Sequence, residues 1–280
     1  MIPPEMDDAK AYHAIPSDPD VLEEEIPSRS RWGPNPRYLI ATVAALILEW
    51  ATMFWVVSLG DSTRDYFVFT FMFGAAIAIV MVVNRSNPGV VPKNVDLELY
   101  QREALPATEV ELNQTRFIQR WCVACRLYKP PRVKHCYECG RCISRFDHHC
   151  PWMSNCIGSN NYKMFMLFWQ HYFGMQIFSV YFIGLSMSQL SATSKVSLGD
   201  GAIRSFASEN PFLIFLLVLA CIRLPVVAYI TMANAYFICR NMTYYEYLTQ
   251  PYEGKNPFDQ GLCQNIYTFM ALPWIDLSRE

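Results

Sequence analysis

The chain has 280 residues and a formal charge of −2, which gives no support to a nucleic-acid partner, and none is expected. Hydrophobic residues make up 52% and aromatic ones 15%, yet mean hydropathy is only slightly positive. That combination excludes a uniform globular mixture and implies apolar blocks separated by polar ones.

Residues 1–37 are rich in Pro, Asp and Glu, with Glu23, Glu24 and Glu25 consecutive, and lack the apolar surface to fold alone. A disordered acidic tail is expected there. Apolar runs follow at Tyr38–Leu59 and Tyr66–Val83, and two more at Met164–Leu190 and Pro211–Cys239. Each approaches the roughly 20 residues a helix needs to cross hydrocarbon, and four in one chain argue against the buried helices of a large soluble protein. The expected fold is membrane α-helical with four transmembrane helices. Helices 1 and 2 fall within residues 38–84, helices 3 and 4 within 164–239, and polar segments at 85–163 and 240–280.

Basic residues set the orientation. Twelve Lys and Arg lie from Arg85 to Lys163, against Arg64, Lys195 and Arg204 on the other side, and Arg29, Arg31 and Arg37 precede the first span. The positive-inside rule then places both termini and the 85–163 segment in the cytosol of a multi-pass membrane protein. An endomembrane, ER or Golgi, is the expected compartment.

Seven of the ten cysteines fall between Cys122 and Cys156, and no secretory h-region opens the chain, so metal ligands are expected rather than disulfides. The segment offers Cys122, Cys125, His135, Cys136, Cys139, Cys142, His148, His149, Cys150 and Cys156. Two CxxC pairs followed by further Cys and His are a strong signal for tetrahedral zinc, and two closed sites use eight of these ten. Neighbours on an extended chain point to opposite sides, so His135 and Cys136 should serve different metals, as should His148 and His149. One partition is Cys122, Cys125, His135 and Cys142, with Cys136, Cys139, His149 and Cys156. Spacing permits it without forcing it. The remainder is Cys150 and His148, preceded by Asp147: a thiol, an imidazole and a carboxylate, the parts of an activated nucleophile. The rival reading is a non-catalytic scaffold in which Cys150 is a spare ligand. A transporter would want polar groups along a pathway, and only Glu49, Gln170, His171 and Arg223 stand out in the spans.

Cys122 to Phe165, with Asp147-His148-His149-Cys150 at its centre, resembles the cysteine-rich domain of DHHC protein S-acyltransferases, as does its position between spans two and three. Asn87-Pro88-Gly89 resembles that family's Asp-Pro-Gly, and Thr243-Tyr244-Tyr245-Glu246 its Thr-Thr-x-Glu. Pro257, Phe258, Asp259, Gly261 and Asn265 resemble its C-terminal element. The resemblance implies a cysteine-rich domain of short β-hairpins over about residues 120–165, holding two zinc ions in the partition above. It also implies palmitoyltransferase chemistry: an acyl-thioester on Cys150, formed from acyl-CoA and passed to protein cysteines on the cytosolic face, with His148 as base and Asp147 as its orienter. Cys150 would sit at the bilayer surface with the alkyl chain among the helices. Trp152 is expected to cap such a cavity, and Met175, Phe173 and Tyr172 to form its floor. Lys129, Arg132 and Lys134 are expected to meet CoA phosphates. Asn87 and Tyr244 depart from the family residues, and Tyr244 is expected to contact Asp147 only after rearrangement. Outside the cysteine-rich segment, Cys221 reads as a small buried apolar residue and Cys239 as a juxtamembrane acylation site, while Cys263 carries no reading.

Two charges remain within the spans. Glu49 and Arg223 lie half-way along spans one and four, which run in opposite directions, so the two groups come level. Intramembrane charges cost about 2.5–3.5 kcal/mol each on insertion scales, and an ion pair between them is expected.

Overall fold

The computed structural model describes residues 33–59, 63–92, 108–112, 115–193, 202–252 and 255–274. The expected tail lies outside these apart from residues 33–37, of which Pro36 already opens the first helix.

Among the described residues the helices are α1 (Pro36–Ser58), α2 (Thr63–Arg85), α3 (Tyr162–Thr193), the short α4 (Ala202–Glu209), α5 (Pro211–Cys239), α6 (Tyr244–Thr249) and α7 (Leu262–Ala271). Both α1 and α5 begin with proline, whose missing N–H is no loss in a first turn. Among the described residues, three stretches are long and apolar enough to cross a membrane: Pro36–Ser58, Arg64–Arg85 and Pro211–Cys239. The 32-residue α3 packs against all three of those helices, most extensively against α5. It differs from them in carrying more polar side chains, several of which point inward. Ser186 Oγ donates to the Val56 carbonyl at 3.0 Å, Gln176 Nε2 donates to Glu49 Oε1 at 2.8 Å, and His171 Nε2 lies 2.8 Å from the Met72 carbonyl. Ile40, Leu48, Phe67, Phe71 and Tyr229 point outward and are exposed. Polar inside and apolar outside is the distribution a hydrocarbon solvent requires.

Glu49 and Arg223 meet as expected. Arg223 Nη1 lies 3.2 Å from Glu49 Oε1, and the Tyr172 hydroxyl donates to Glu49 Oε2 at 3.0 Å. The carboxylate is 7% exposed and accepts bonds from α3 and α5 together.

Between α2 and α3, the described residues form four two-stranded antiparallel hairpins. They are β1–β2 (Thr108–Leu112, Thr115–Gln119), β3–β4 (Trp121–Cys122, Leu127–Tyr128), β5–β6 (Lys134–Cys136, Arg141–Ile143) and β7–β8 (His148–Cys150, Asn155–Ile157). The first lies ahead of the cysteine-rich segment and was not expected from the sequence. A 3-10 turn, Pro151–Met153, joins β7 to β8. Cys150, Met153 and Ile157 belong to the same apolar cluster as Phe73 and Val80 of α2 and Phe165 of α3. The hairpin module is therefore continuous with the end of the helical core.

Candidate active site and metal centres

The last three hairpins share one register. Trp121 pairs with Tyr128, His135 with Cys142, and His149 with Cys156; one residue further on, Cys122, Cys136 and Cys150 each begin the turn. The pattern recurs every fourteen residues, and Cys125 and Cys139 of the first two turns correspond to Met153 in the third. Left-handed residues bend each turn: Arg126 at φ 52°, Gly140 at φ 64° and Ser154 at φ 49°.

This repetition builds two metal-ligand groups. The turn cysteines Cys122 and Cys125 converge with the cross-strand pair His135 and Cys142 of the next hairpin. Cys136 and Cys139 converge in the same way with His149 and Cys156. His135 Nδ1 lies 3.5, 3.3 and 3.8 Å from the sulfurs of Cys122, Cys125 and Cys142. His149 Nδ1 lies 3.6, 3.5 and 3.6 Å from those of Cys136, Cys139 and Cys156. A tetrahedral zinc with Zn–S near 2.3 Å and Zn–N near 2.0–2.1 Å separates its ligand atoms by roughly 3.6–3.8 Å, so both donor sets fit that ion. The crowded thiols act on one another: hydrogen bonds from Cys125 and Cys142 hold Cys122 far below the usual thiol range. Cys150 belongs to neither group.

Alternation along β7 turns His149 to the metal side and leaves His148 and Cys150 on the other. His148 Nδ1 lies 2.7 Å from Asp147 Oδ2. Burial pulls the imidazole's pKa down, but hydrogen bonds to Asp147 and Cys150 outweigh it and raise the value to about 10. The Tyr244 N–H donates to Asp147 Oδ1 at 2.8 Å, so both carboxylate oxygens are held. A thiol, its proton acceptor and an oriented carboxylate can form and stabilise a thiolate nucleophile.

Residues 115–251 match the family model described as DHHC palmitoyltransferase, a stretch that contains both metal groups and all three of these side chains. That stretch belongs to the DHHC family. It is 30% identical over 243 residues to "Palmitoyltransferase ZDHHC8" of Homo sapiens, covering 84% of this chain and 30% of that protein. It is 30% identical over 255 residues to "Palmitoyltransferase ZDHHC5" of Bos taurus, covering 85% and 33%. "Probable protein S-acyltransferase 6" of Arabidopsis thaliana is 29% identical over 271 residues, covering 86% and 63%. The chain thus spans about a third of the length of the mammalian relatives. A second model, described as Apicomplexa microprotein, matches residues 1–70.

The motifs outside the DHHC hairpin hold it in place. Asn87 Oδ1 accepts from the amides of Gly89 and Val90 at 2.9 Å each, closing a turn that needs an acceptor but no charge. Thr243 and Glu246 form a reciprocal capping box on α6, which aims the Tyr244 amide at Asp147. The contact expected to need rearrangement of the Tyr244 side chain is made by its backbone. Asn265 Nδ2 donates to the Cys239 carbonyl and to Asp259 Oδ1, both at 2.7 Å. The loop after Cys150 is tied to α2: Asn84 Nδ2 donates to the Met153 carbonyl, and Asn155 Nδ2 to the carbonyls of Val83 and Ser86. These asparagines drew no attention in the sequence, since their partners lie about seventy residues away and leave no periodic trace.

The residues expected to touch the acyl donor are placed as follows. Arg132 donates to both Glu246 oxygens at 2.8 Å and to the Asn241 carbonyl and side chain, and stacks 4.1 Å from the Phe258 ring. Its fork joins the module to α6 rather than facing solvent. Lys134 lies over the Tyr245 ring at 4.8 Å, and Lys129 is half-buried. Trp152 is 55% exposed, packed edge-on against Tyr38 at 5.5 Å, and Met175 is fully buried within α3. Cys221 is exposed on α5, where a buried residue was expected.

Proposed function

We propose that the chain is a protein S-acyltransferase that carries a long fatty acyl group, palmitate above all, from acyl-CoA to protein cysteines through a thioester on Cys150. The observation that carries this is the division of labour in β7. His149 faces three thiols, while His148 faces Cys150 and Asp147.

His148 takes the Cys150 proton and Asp147 stabilises the imidazolium. The thiolate attacks the thioester carbonyl, a new C–S bond forms, the bond to CoA sulfur breaks, and His148 returns the proton to the departing CoA thiolate. A substrate cysteine then attacks acyl-Cys150, and Cys150 leaves as the thiol with the proton given up by that cysteine. Zinc at Cys122, Cys125, His135 and Cys142 and at Cys136, Cys139, His149 and Cys156 contributes folding free energy.

In this reading α3 is the fourth span, because it packs against the other three long helices and turns His171, Gln176 and Ser186 into the bundle. The hairpin module and both ends then face the cytosol of an endomembrane, ER or Golgi, where protein cysteines and the CoA head are within reach. Lys129 and Lys134 meet the phosphates, with Arg132 fixing the surface they stand on. Trp152 lies where the alkyl chain enters, and Met175 where it ends. Each buried methylene contributes about 0.8 kcal/mol, so the depth of that space selects chain length.

Incubation of the purified protein with a series of acyl-CoAs, followed by intact mass spectrometry, tests the proposal. A hydroxylamine-labile adduct of acyl mass is expected on the parent and on no Cys150→Ser protein. An adduct that survives that substitution would overturn it.

A further inference from the structure

The segment before α1 is tied to the second metal group. The Asn35 side-chain amide lies 2.8 Å from His149 Nε2, the ring nitrogen opposite the one facing the three thiols. The Asn35 N–H donates to Ser154 Oγ at 2.7 Å, in the turn four residues past Cys150. Gly33, at φ +77°, lies so close to Ser154 that a Cβ there would overlap the Ser154 carbonyl. Two further contacts continue the seam: Thr42 Oγ1 donates to the Trp152 carbonyl at 3.1 Å, and the Tyr38 ring packs on Trp152.

We propose that Asn35 is a positioning residue for the second metal centre, setting the orientation and tautomer of His149, and that residues 33–35 form a strap that holds the Cys150 turn. The proposal rests on the two-zinc reading above. When Nδ1 holds the metal, the proton of a neutral imidazole must sit on Nε2, which becomes a donor. Its partner must then accept. Asn35 can accept through Oδ1 after a half-turn of an amide whose two ends are equal in size. An outer partner of this kind typically changes metal affinity about 10- to 100-fold when removed. The ring of His149 has this partner 114 residues away in sequence, so the tie joins the start of the first membrane helix to the nucleophile's own hairpin.

Zinc content and zinc release into a chromogenic chelator are measured on the full-length protein and on Asn35→Leu, Asn35→Asp and Gly33→Ala. Asn35→Leu has the size but no acceptor, and should lose one of its two zinc ions about 10- to 100-fold faster while the other leaves at the parent rate. Asn35→Asp accepts from Nε2–H and should retain parent-like release. Gly33→Ala displaces the strap without touching Asn35 and should resemble Asn35→Leu. Equal release from the Leu and Asp proteins, or parent-like release from the Leu protein, would overturn the role of Asn35. A parent protein with fewer than two zinc ions would instead overturn the metal reading itself.

Discussion

The Tyr244 amide, not its phenol, holds Asp147: the N–H donates to Oδ1 at 2.8 Å. Tyr244 is the first residue of α6, with Thr243 as its cap at φ −97° and ψ 159°. Proline is tolerated at the first position of a helix, and the residue before it prefers that extended conformation. Tyr244→Pro should therefore remove one donor and leave α6 intact. Losing a hydrogen bond to a charged group costs about 1.5–3 kcal/mol, so acyl loading of Cys150 should slow roughly tenfold or more. Tyr244→Thr keeps the amide and should load at close to the parent rate. Rapid-quench mass spectrometry of both proteins makes the comparison.

His148 and His149 should fail in different ways. His148→Ala should keep both metals and load acyl groups about 10²- to 10⁴-fold more slowly, the usual range for a lost general base. His149→Ala should lower zinc content and melting temperature together. Metal analysis beside single-turnover loading distinguishes them, and exchanged outcomes would exchange the roles.

Glu49 and Arg223 should be energetically coupled. Glu49→Gln and Arg223→Gln each leave a charge without its partner among α1, α3 and α5. The double change should recover part of the summed loss, a coupling of about 1 kcal/mol within the range seen for contacting charges. Denaturant unfolding of the four proteins in detergent gives the cycle, and fully additive losses would deny the pair.

Acid should dissolve one joint before others. Burial works to raise the Glu246 pKa, but Arg132, the Thr243 amide and the Tyr252 hydroxyl outweigh it and hold the carboxyl below its ordinary value. The folded value is depressed, so this joint is at full strength above the unfolded value of about 4.3 and is lost as pH falls through the folded one. The melting advantage of the parent over Glu246→Gln should be constant near neutrality and shrink below pH of about 4. A constant difference down to strongly acidic pH would contradict this.

What the sequence made legible was whatever strand parity, ligand counting or membrane depth could express. Parity separated His148 from His149 and His135 from Cys136, and depth alone brought Glu49 level with Arg223. The roles of Asn84, Asn155 and Asn35 were not legible, because each depends on a partner brought close only by the packing of the module on the helices. The expectation that Arg132 meets CoA phosphates has a related origin. A basic run looks alike whether its members face water or, as here, close on Glu246 and Asn241. The fourteen-residue recurrence was visible in the sequence but masked by its unequal ends, where Trp121 and Tyr128 replace one ligand pair and Met153 another ligand.

That recurrence has a stereochemical consequence for Cys150. Each turn cysteine in the array looks toward the pair supplied by the hairpin after it, and for Cys150 no such hairpin follows. Asn161 and then α3 come next in the chain. In place of a third ligand group, Cys150 shares an apolar cluster with Met153 of its own turn and Phe165 of α3. The Cys150 thiol, outside both metal groups, thus borders the helical core, and a group joined to it there would start at the edge of the apolar interior.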